Sequence, residues 1–347
     1  MSDTKKGAEE YPTMYRIMQS TIANIPAMEA HHRSISKPTA PEYRVSSFNH
    51  KFVTSRGYKF HLVDEGDPNG EPLILIHGFP DLWYGFRYQI RHFAKQGFRV
   101  LAIDNLGAGE SDHPWCNEDN YDIYRVKNTA TNFIGILDQL NISKAVFIGH
   151  DWGASVAWKI GLYFPERCRA VVSIGTPPQE PQRLFPHPDI IAEKFPQLPF
   201  MAEFQTREPE TWFDGNAKTV AVALHNIMYA SSVGTSAEEK QYYIDQYSRT
   251  SLHGSLNHFR ATYLNWEDEL PYVGQPYLIP SLMIVLESDP ILTPAFVASY
   301  STDSIKNLEQ VVIKTGGHNV HSDNPEDLNR VLDTYLAKVL GKKRNEE

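Results

Sequence analysis

Apolar residues along this chain cluster in two periods. Leu73-Ile74-Leu75-Ile76, Ala145-Val146-Phe147-Ile148 and Ser281-Leu282-Met283-Ile284-Val285-Leu286 are short runs that are apolar at nearly every position. Such runs suit strands buried on both faces of a parallel sheet. Between them lie stretches with apolar residues three and four apart, the helical period. Trp83 to Lys95, Tyr121 to Leu140 and Ala154 to Phe164 read as helices, and a last one runs near Pro325–Leu340. Further strands are expected at Lys51–Thr54, Tyr58–Asp64 with Arg56-Gly57 as the turn between, Arg99–Ile103, Ala170–Ile174 and Gln310–Ile313. Strand and helix alternating at this spacing predict a mostly parallel sheet with helices on both faces.

The alternation stops at Thr176-Pro177-Pro178 and resumes at Ser281. In between, the pattern is helical and aromatic with no buried strand run. The expected division is therefore an N-terminal extension over residues 1–45, an α/β core over 46–178 and 272–347, and an inserted helical cap over 179–271. One helix, Tyr15 to Met28, is expected in the extension, followed by an extended linker at Lys37-Pro38-Thr39-Ala40-Pro41.

At the end of the Ala145–Ile148 run stands Gly149-His150-Asp151-Trp152-Gly153. A strand, a sharp glycine-flanked turn and a helix are the setting of a nucleophile elbow. Most elbows carry Ser; this one carries Asp151. A carboxylate is a poor acyl acceptor, because the product is an anhydride. Toward a strained or activated sp3 carbon it is a good nucleophile, and the product is an ordinary ester. The elbow thus points to opening of an epoxide or displacement of a halide. Its partners should follow in the order acid, then histidine. Asp289 lies just past the Ser281–Leu286 run, and His318 follows the Gln310–Ile313 run at Gly316-Gly317-His318. Both fall beyond strand carboxyl ends, where parallel sheets bind ligands. Glu180 is the rival acid. His77-Gly78-Phe79-Pro80 follows the Leu73–Ile76 strand, and its loop belongs beside the elbow. The Phe79 and Trp152 N–H groups are assigned as the oxyanion hole, and a cis Phe79-Pro80 bond is expected.

Other features narrow the classes. The 347 residues carry 33 Lys+Arg against 42 Asp+Glu, a net charge of −9 that argues against nucleic acid and anionic membranes as main partners. No apolar stretch is long enough for a membrane span. Cys116 and Cys168 read as free thiols of a reducing compartment. Met1–Lys6 lacks an apolar signal region, and Lys342–Glu347 is a charged tail, so the expected location is cytoplasmic. The Asp104–Ser111 loop has glycines at 107 and 109 but lacks the third glycine of a dinucleotide fingerprint. His318 and His321 have no third ligand nearby in sequence, so no metal and no cofactor are expected. The partners expected are a small apolar electrophile and water.

Taken together, these stretches resemble the soluble epoxide hydrolases of the α/β-hydrolase superfamily. The resemblance rests on His77-Gly78-Phe79-Pro80-Asp81, Trp83-Tyr84 through Ile90, His150-Asp151-Trp152-Gly153, Phe164-Pro165-Glu166-Arg167 and Gly317-His318 through Asn329. It covers roughly Val53 to Leu340. It implies an α/β-hydrolase fold and hydrolysis of an epoxide to a vicinal diol, with Asp151 forming the ester and His318, oriented by Asp289, activating water. Phe79 after His77-Gly78 is similar to epoxide hydrolases; haloalkane dehalogenases more often carry Asn there.

One departure stands out. The family uses two cap tyrosines to donate protons to the epoxide oxygen. The matching positions here are Phe200 and Phe259, which cannot donate. Tyr263, four residues past Phe259, is expected on the same helix face and is assigned as the substitute donor. His258, Tyr242, Tyr243 and Tyr247 are further candidates. Two other readings stay open: displacement at sp3 carbon in the manner of a haloalkane or haloacid dehalogenase, and a non-catalytic ligand receptor.

Overall fold

The computed structural model describes residues 13–117, 121–212, 216–229 and 236–341. The charged runs Met1–Lys6 and Lys342–Glu347 lie outside them. Eight strands form one sheet: β1 (His50–Ser55), β2 (Tyr58–Gly66), β3 (Pro72–Ile76), β4 (Arg99–Ile103), β5 (Ala145–His150), β6 (Cys168–Ile174), β7 (Ser281–Leu286) and β8 (Leu308–Ile313). Their order is β1-β2-β4-β3-β5-β6-β7-β8. β2 is antiparallel to both β1 and β4, and every other pairing is parallel. The β1–β2 hairpin turns at Arg56 (φ 49°) and Gly57 (φ 87°). Two positive-φ residues make the turn whose twist matches the flanking strands.

Side-chain alternation divides the sheet's apolar residues between its two faces. Leu73, Leu75, Val146 and Ile148 pack on one face with Ile90 and Phe93 of α2 (Arg87–Lys95) and Leu332 of α14 (Pro325–Val339). Ile74, Ile76 and Phe147 pack on the other with Phe133 of α3 (Val126–Gln139) and Val156 and Ile160 of α4 (Trp152–Tyr163). The strands are buried on both sides, which is why their sequence reads as continuous runs.

Between β6 and β7 the chain is helical: α5 (Pro188–Lys194), α6 (Phe200–Glu203), α7 (Glu208–Thr211), α8 (Ala217–Tyr229), α9 (Ala237–Thr250), α10 (His253–Arg260) and α11 (Thr262–Glu269). Short helices α12 (Pro294–Ala298) and α13 (Val320–Asp323) follow β7 and β8. Among the described residues, no helix is long and apolar enough to cross a membrane.

Four helix expectations change. The extension's helix α1 (Met14–Ile35) outruns Tyr15–Met28 at both ends and carries Pro26 in its interior. Trp83–Phe86 and Asp122–Tyr124 are separate 3-10 turns ahead of α2 and α3; Arg125, extended at ψ 147°, separates the second turn from α3. The helix expected to carry both Phe259 and Tyr263 is interrupted: α10 ends at Arg260, and Ala261 (ψ 5°) leaves helical geometry before α11 begins.

Candidate active site

Asp151 occupies the turn from β5 into α4 with φ 50° and ψ −123°, a conformation L-residues rarely adopt. The neighbouring glycines make that turn possible. A Cβ on Gly149 would meet Gly153 O at 2.2 Å, and a Cβ on Gly153 would meet Ile76 O at 2.2 Å. The Asp151 backbone is pinned on both sides: its N–H donates to Ile174 O (3.1 Å), and its carbonyl accepts from Thr176 Oγ1 (2.6 Å). The carboxylate is thereby lifted off the sheet edge, with 19% of the side chain facing the cavity above.

The loop after β3 comes up against this carboxylate. Phe79 N–H donates to Asp151 Oδ1 at 3.0 Å, and Phe79-Pro80 is cis. Gly78 is required there, because a Cβ would stand 2.6 Å from Asp151 Cβ. Oδ1 therefore rests where the carbonyl oxygen of an Asp151 ester would lie, with an N–H already aimed at it. Burial pushes the Asp151 carboxyl above the usual range. The His318 charge and the N–H groups of Phe79 and Trp152 pull the other way without cancelling the rise.

His318 is held from two sides. Its Nδ1 lies 2.8 Å from Asp289 Oδ2, and its Nε2 faces Asp151 Oδ2 at 3.8 Å. That second gap is longer than a hydrogen bond. Burial alone would push the imidazole down. The hydrogen bond and charge of Asp289, with Asp151 and Asp81, outweigh it and raise the pKa. Asp289 is itself fixed: Oδ1 accepts from Ile291 N–H (2.8 Å) and Leu292 N–H (3.0 Å). Burial would raise its carboxyl, but the bond to His318 and these N–H groups hold it below the usual range. The rival acid Glu180 is committed elsewhere, accepting from Ser304 N–H (2.9 Å) and Ser304 Oγ (2.8 Å).

Above Asp151 opens a mainly apolar cavity of about 880 Å³. Phe79, Phe200, Phe204 and Phe259 line it as a ring cluster, with centroids 5.2–5.4 Å apart for Phe79–Phe204, Phe79–Phe259 and Phe204–Phe259. Tyr263 is not among the lining residues. It is 50% exposed, with its ring against Phe185 and Trp266. The break at Ala261 turns it away from the face that carries Phe259, so the expected substitution does not hold. The other candidate phenols do not line the cavity either. Tyr242 Oη accepts from Trp83 Nε1 (2.7 Å) and Tyr243 Oη donates to Asp81 (2.8 Å). Tyr247 is buried in the same aromatic layer as Tyr243. His258 does line the cavity, its ring 4.1 Å from that of Trp152, but its two nitrogens face Tyr124 O and Leu106 O at 3.0 Å each.

A buried layer behind Asp151, Asp289 and His318 includes His150 and Asp81, to which the sequence assigned no role. His150 Nε2 donates to His318 O (2.8 Å), tying the residue before Asp151 to the loop that presents the histidine. Burial, with the nearby His321 and His318, pushes His150 far down, so it is neutral. His321 Nε2 is 2.9 Å from Asp81 Oδ2, and Asp81 Oδ1 accepts from Leu82 N–H, Tyr229 and Tyr243. His318 and His321 thus turn to different carboxylates instead of sharing a ligand. Asp81, His150 and His321 bring three ligand-type atoms within 4.8 Å, but the Asp81 oxygens are already taken by these donors. In sequence, Asp81 and His150 sit inside the quoted motifs. Their partners lie far along the chain, and that is why the spacing gave no sign of the link.

The chain is similar to known proteins along most of its length. The family model for the alpha/beta hydrolase fold matches residues 71–325. Bifunctional epoxide hydrolase 2 of Mus musculus is 32% identical over 328 residues, covering 83% of this chain; the chain spans only 55% of that relative. Epoxide hydrolase 4 of Mus musculus is 30% identical over 338 residues, covering 92% of this chain and 88% of the relative. Among solved structures, epoxide hydrolase A from Mycobacterium thermoresistibile superposes with a TM-score of 0.72 at 27% identity, over 83% of this chain and 98% of that one. An epoxide hydrolase from Vigna radiata shares the fold with a TM-score of 0.75 at 24% identity, over 84% and 99%. With an Asp at the elbow and these relatives along nearly its whole length, the chain belongs to the epoxide hydrolase family of the α/β-hydrolase fold.

Proposed function

We propose that this protein hydrolyses an epoxide to a vicinal diol through an ester on Asp151. The observation that carries the reading is the Asp151 carboxylate at the floor of an apolar cavity. One of its oxygens lies on the Phe79 N–H and the other faces His318. Asp151 Oδ2 attacks an epoxide carbon; the C–O bond breaks, and cavity water protonates the alkoxide. His318 Nε2 then takes a proton from a water that adds to the Asp151 carboxyl carbon. The Phe79 and Trp152 N–H groups stabilise the oxyanion at Oδ1. Collapse expels the diol as His318 returns its proton to the leaving oxygen, and the new Asp151 carboxyl gives its proton to the hydroxide left by the first step, which restores the carboxylate. Asp289 keeps the proton of His318 on Nδ1. The helices of residues 179–271 serve as the lid that excludes bulk water, and no metal or cofactor takes part. The buried free thiols Cys116 and Cys168 support a reducing, cytoplasmic setting.

A second reading, displacement at a C–halogen carbon, draws on Phe200 and Phe259. A leaving halide needs no proton, and neither ring offers one. Turnover of styrene oxide, trans-stilbene oxide, fatty-acid epoxides and short haloalkanes separates the two. Diol from at least one epoxide, faster than halide release from any haloalkane, is expected. The reverse order would give the lead to displacement.

A further inference from the structure

Helix α1 lies outside the residues that the family model matches, yet it reaches the substrate cavity. Met14 and Ile17 line the same cavity as Asp151 and His318. The reason is legible along the helix. Met14, Ile17, Met18, Ile22, Ile25 and Glu29 recur at the helical period and are all withdrawn from solvent, Met18 completely. That stripe packs on α8, whose Leu224 and Met228 line the cavity beside Trp212.

Specific polar contacts fix where the helix sits. Met14 N–H donates to Glu203 Oε1 at 3.0 Å, at the end of α6, the helix that begins with Phe200. Two turns before its end, Glu29 pairs with Lys240 of α9, which also donates to Asn226 of α8 at 2.9 Å. The Tyr15 ring lies 6.3 Å from that of Trp212. An amphipathic helix held at both ends over a cavity is a wall of that cavity, not a tether.

We infer that α1 is a specificity element: Met14 and Ile17 close the arm of the cavity between α7 and α8 and set the longest apolar substituent the substrate can carry. The inference rests on Asp151 marking the reaction centre of this cavity. The cavity walls are apolar there, so the substituent it limits is a hydrocarbon chain or ring.

Two substitutions of opposite sense test it. Met14→Trp shortens the arm and Met14→Ala lengthens it. With terminal straight-chain epoxides of increasing length, Met14→Trp should lower the long-to-short ratio of kcat/KM by at least about 10-fold, the discrimination one or two methylenes bring in an apolar pocket. Met14→Ala should move the ratio the other way. A role in stability alone would shift both variants in one direction, or shift every length equally, and either result overturns the inference. Calorimetric titration of straight-chain primary alcohols into the same substitutions made in Asp151→Asn reads the wall without chemistry. If wild type turns over no epoxide but the alcohol series still shows the opposed shifts, the proposed reaction fails and the wall stands. A flat alcohol series removes the wall whatever the reaction.

Discussion

Replacing Asp289 by Asn tests how the site keeps its histidine ready. The asparagine oxygen has one good position, accepting from the Ile291 and Leu292 N–H groups that now hold Asp289 Oδ1 at 2.8 and 3.0 Å. Its NH2 then faces His318 Nδ1, which must become an acceptor. The imidazole proton moves to Nε2, the nitrogen that has to take a proton from water. The flipped amide restores the tautomer but sets an NH2 against two buried N–H donors. Orphaning those costs about 1–3 kcal/mol each, so about 2 kcal/mol at the least. That leaves roughly one molecule in 30 in the competent tautomer. Loss of the carboxylate charge beside the imidazolium adds to this, and together they should approach the roughly 10⁴-fold loss seen when an orienting acid is neutralised. The loss should fall on ester hydrolysis. Alkylation needs no base, so ester should accumulate in rapid-quench single turnovers. Asp289 is also the main upward influence on His318. The rising limb of the pH–rate profile for hydrolysis, which reports neutral His318, should therefore move to lower pH in the variant. Asp289→Glu should recover part of the rate. Turnover within about tenfold of wild type, a deficit of only 1.4 kcal/mol, would refute the reasoning. So would an unshifted pH profile in a variant that melts normally.

Phe259→Tyr places a phenol in the ring cluster above Asp151. Stopped-flow alkylation by an unactivated epoxide should quicken by about 10²–10⁴-fold, the usual gain from a positioned acid. Gly78→Ala pushes a methyl to 2.6 Å from Asp151 Cβ. It should lower kcat/KM by up to about 10²-fold, the loss that goes with a nucleophile displaced by about 1 Å, while calorimetry finds the fold retained. His225 is buried beneath α1, and burial, with Lys240 and His32, pushes it down to about 3. Between the ordinary value near 6.5 and about 3, the unfolded chain takes up a proton that the folded one refuses, so this stability is intact above about pH 6.5 and is lost as pH falls. The urea midpoint should drop from neutral to mildly acidic pH, and His225→Phe should flatten that slope.

Much of this architecture was written in the pattern of apolar runs. Strands such as β3 and β7 are buried on both faces, so their composition alone marks them, and Arg99–Ile103 was placed to the residue. The meeting of Asp151, Asp289 and His318 was legible for a related reason. Asp151, Asp289 and His318 each follow a strand's carboxyl end, and the glycines around Asp151 answer to local crowding. What was not legible depends on contacts remote in sequence. His150 reaches His318 O across the sheet edge. Asp81 gathers His321, Tyr229 and Tyr243 from three separate segments. Tyr263 was misplaced by a local cause: a single residue, Ala261, departs from helical geometry and rotates everything after it. Nothing in the apolar period of Asn257–Glu269 marks that break. The reach of α1 into the cavity was equally hidden, because an amphipathic stripe says that a helix is covered but not by what.

The central claim is that the oxygen added to the substrate comes from Asp151 and not directly from water. A single turnover in heavy-oxygen water, with enzyme in excess over an epoxide the protein turns over, tests it. The account predicts a diol without heavy oxygen in that first turnover, and one heavy oxygen in the peptide that contains Asp151. A diol carrying the heavy label in the first turnover, with Asp151 unlabelled, would contradict it.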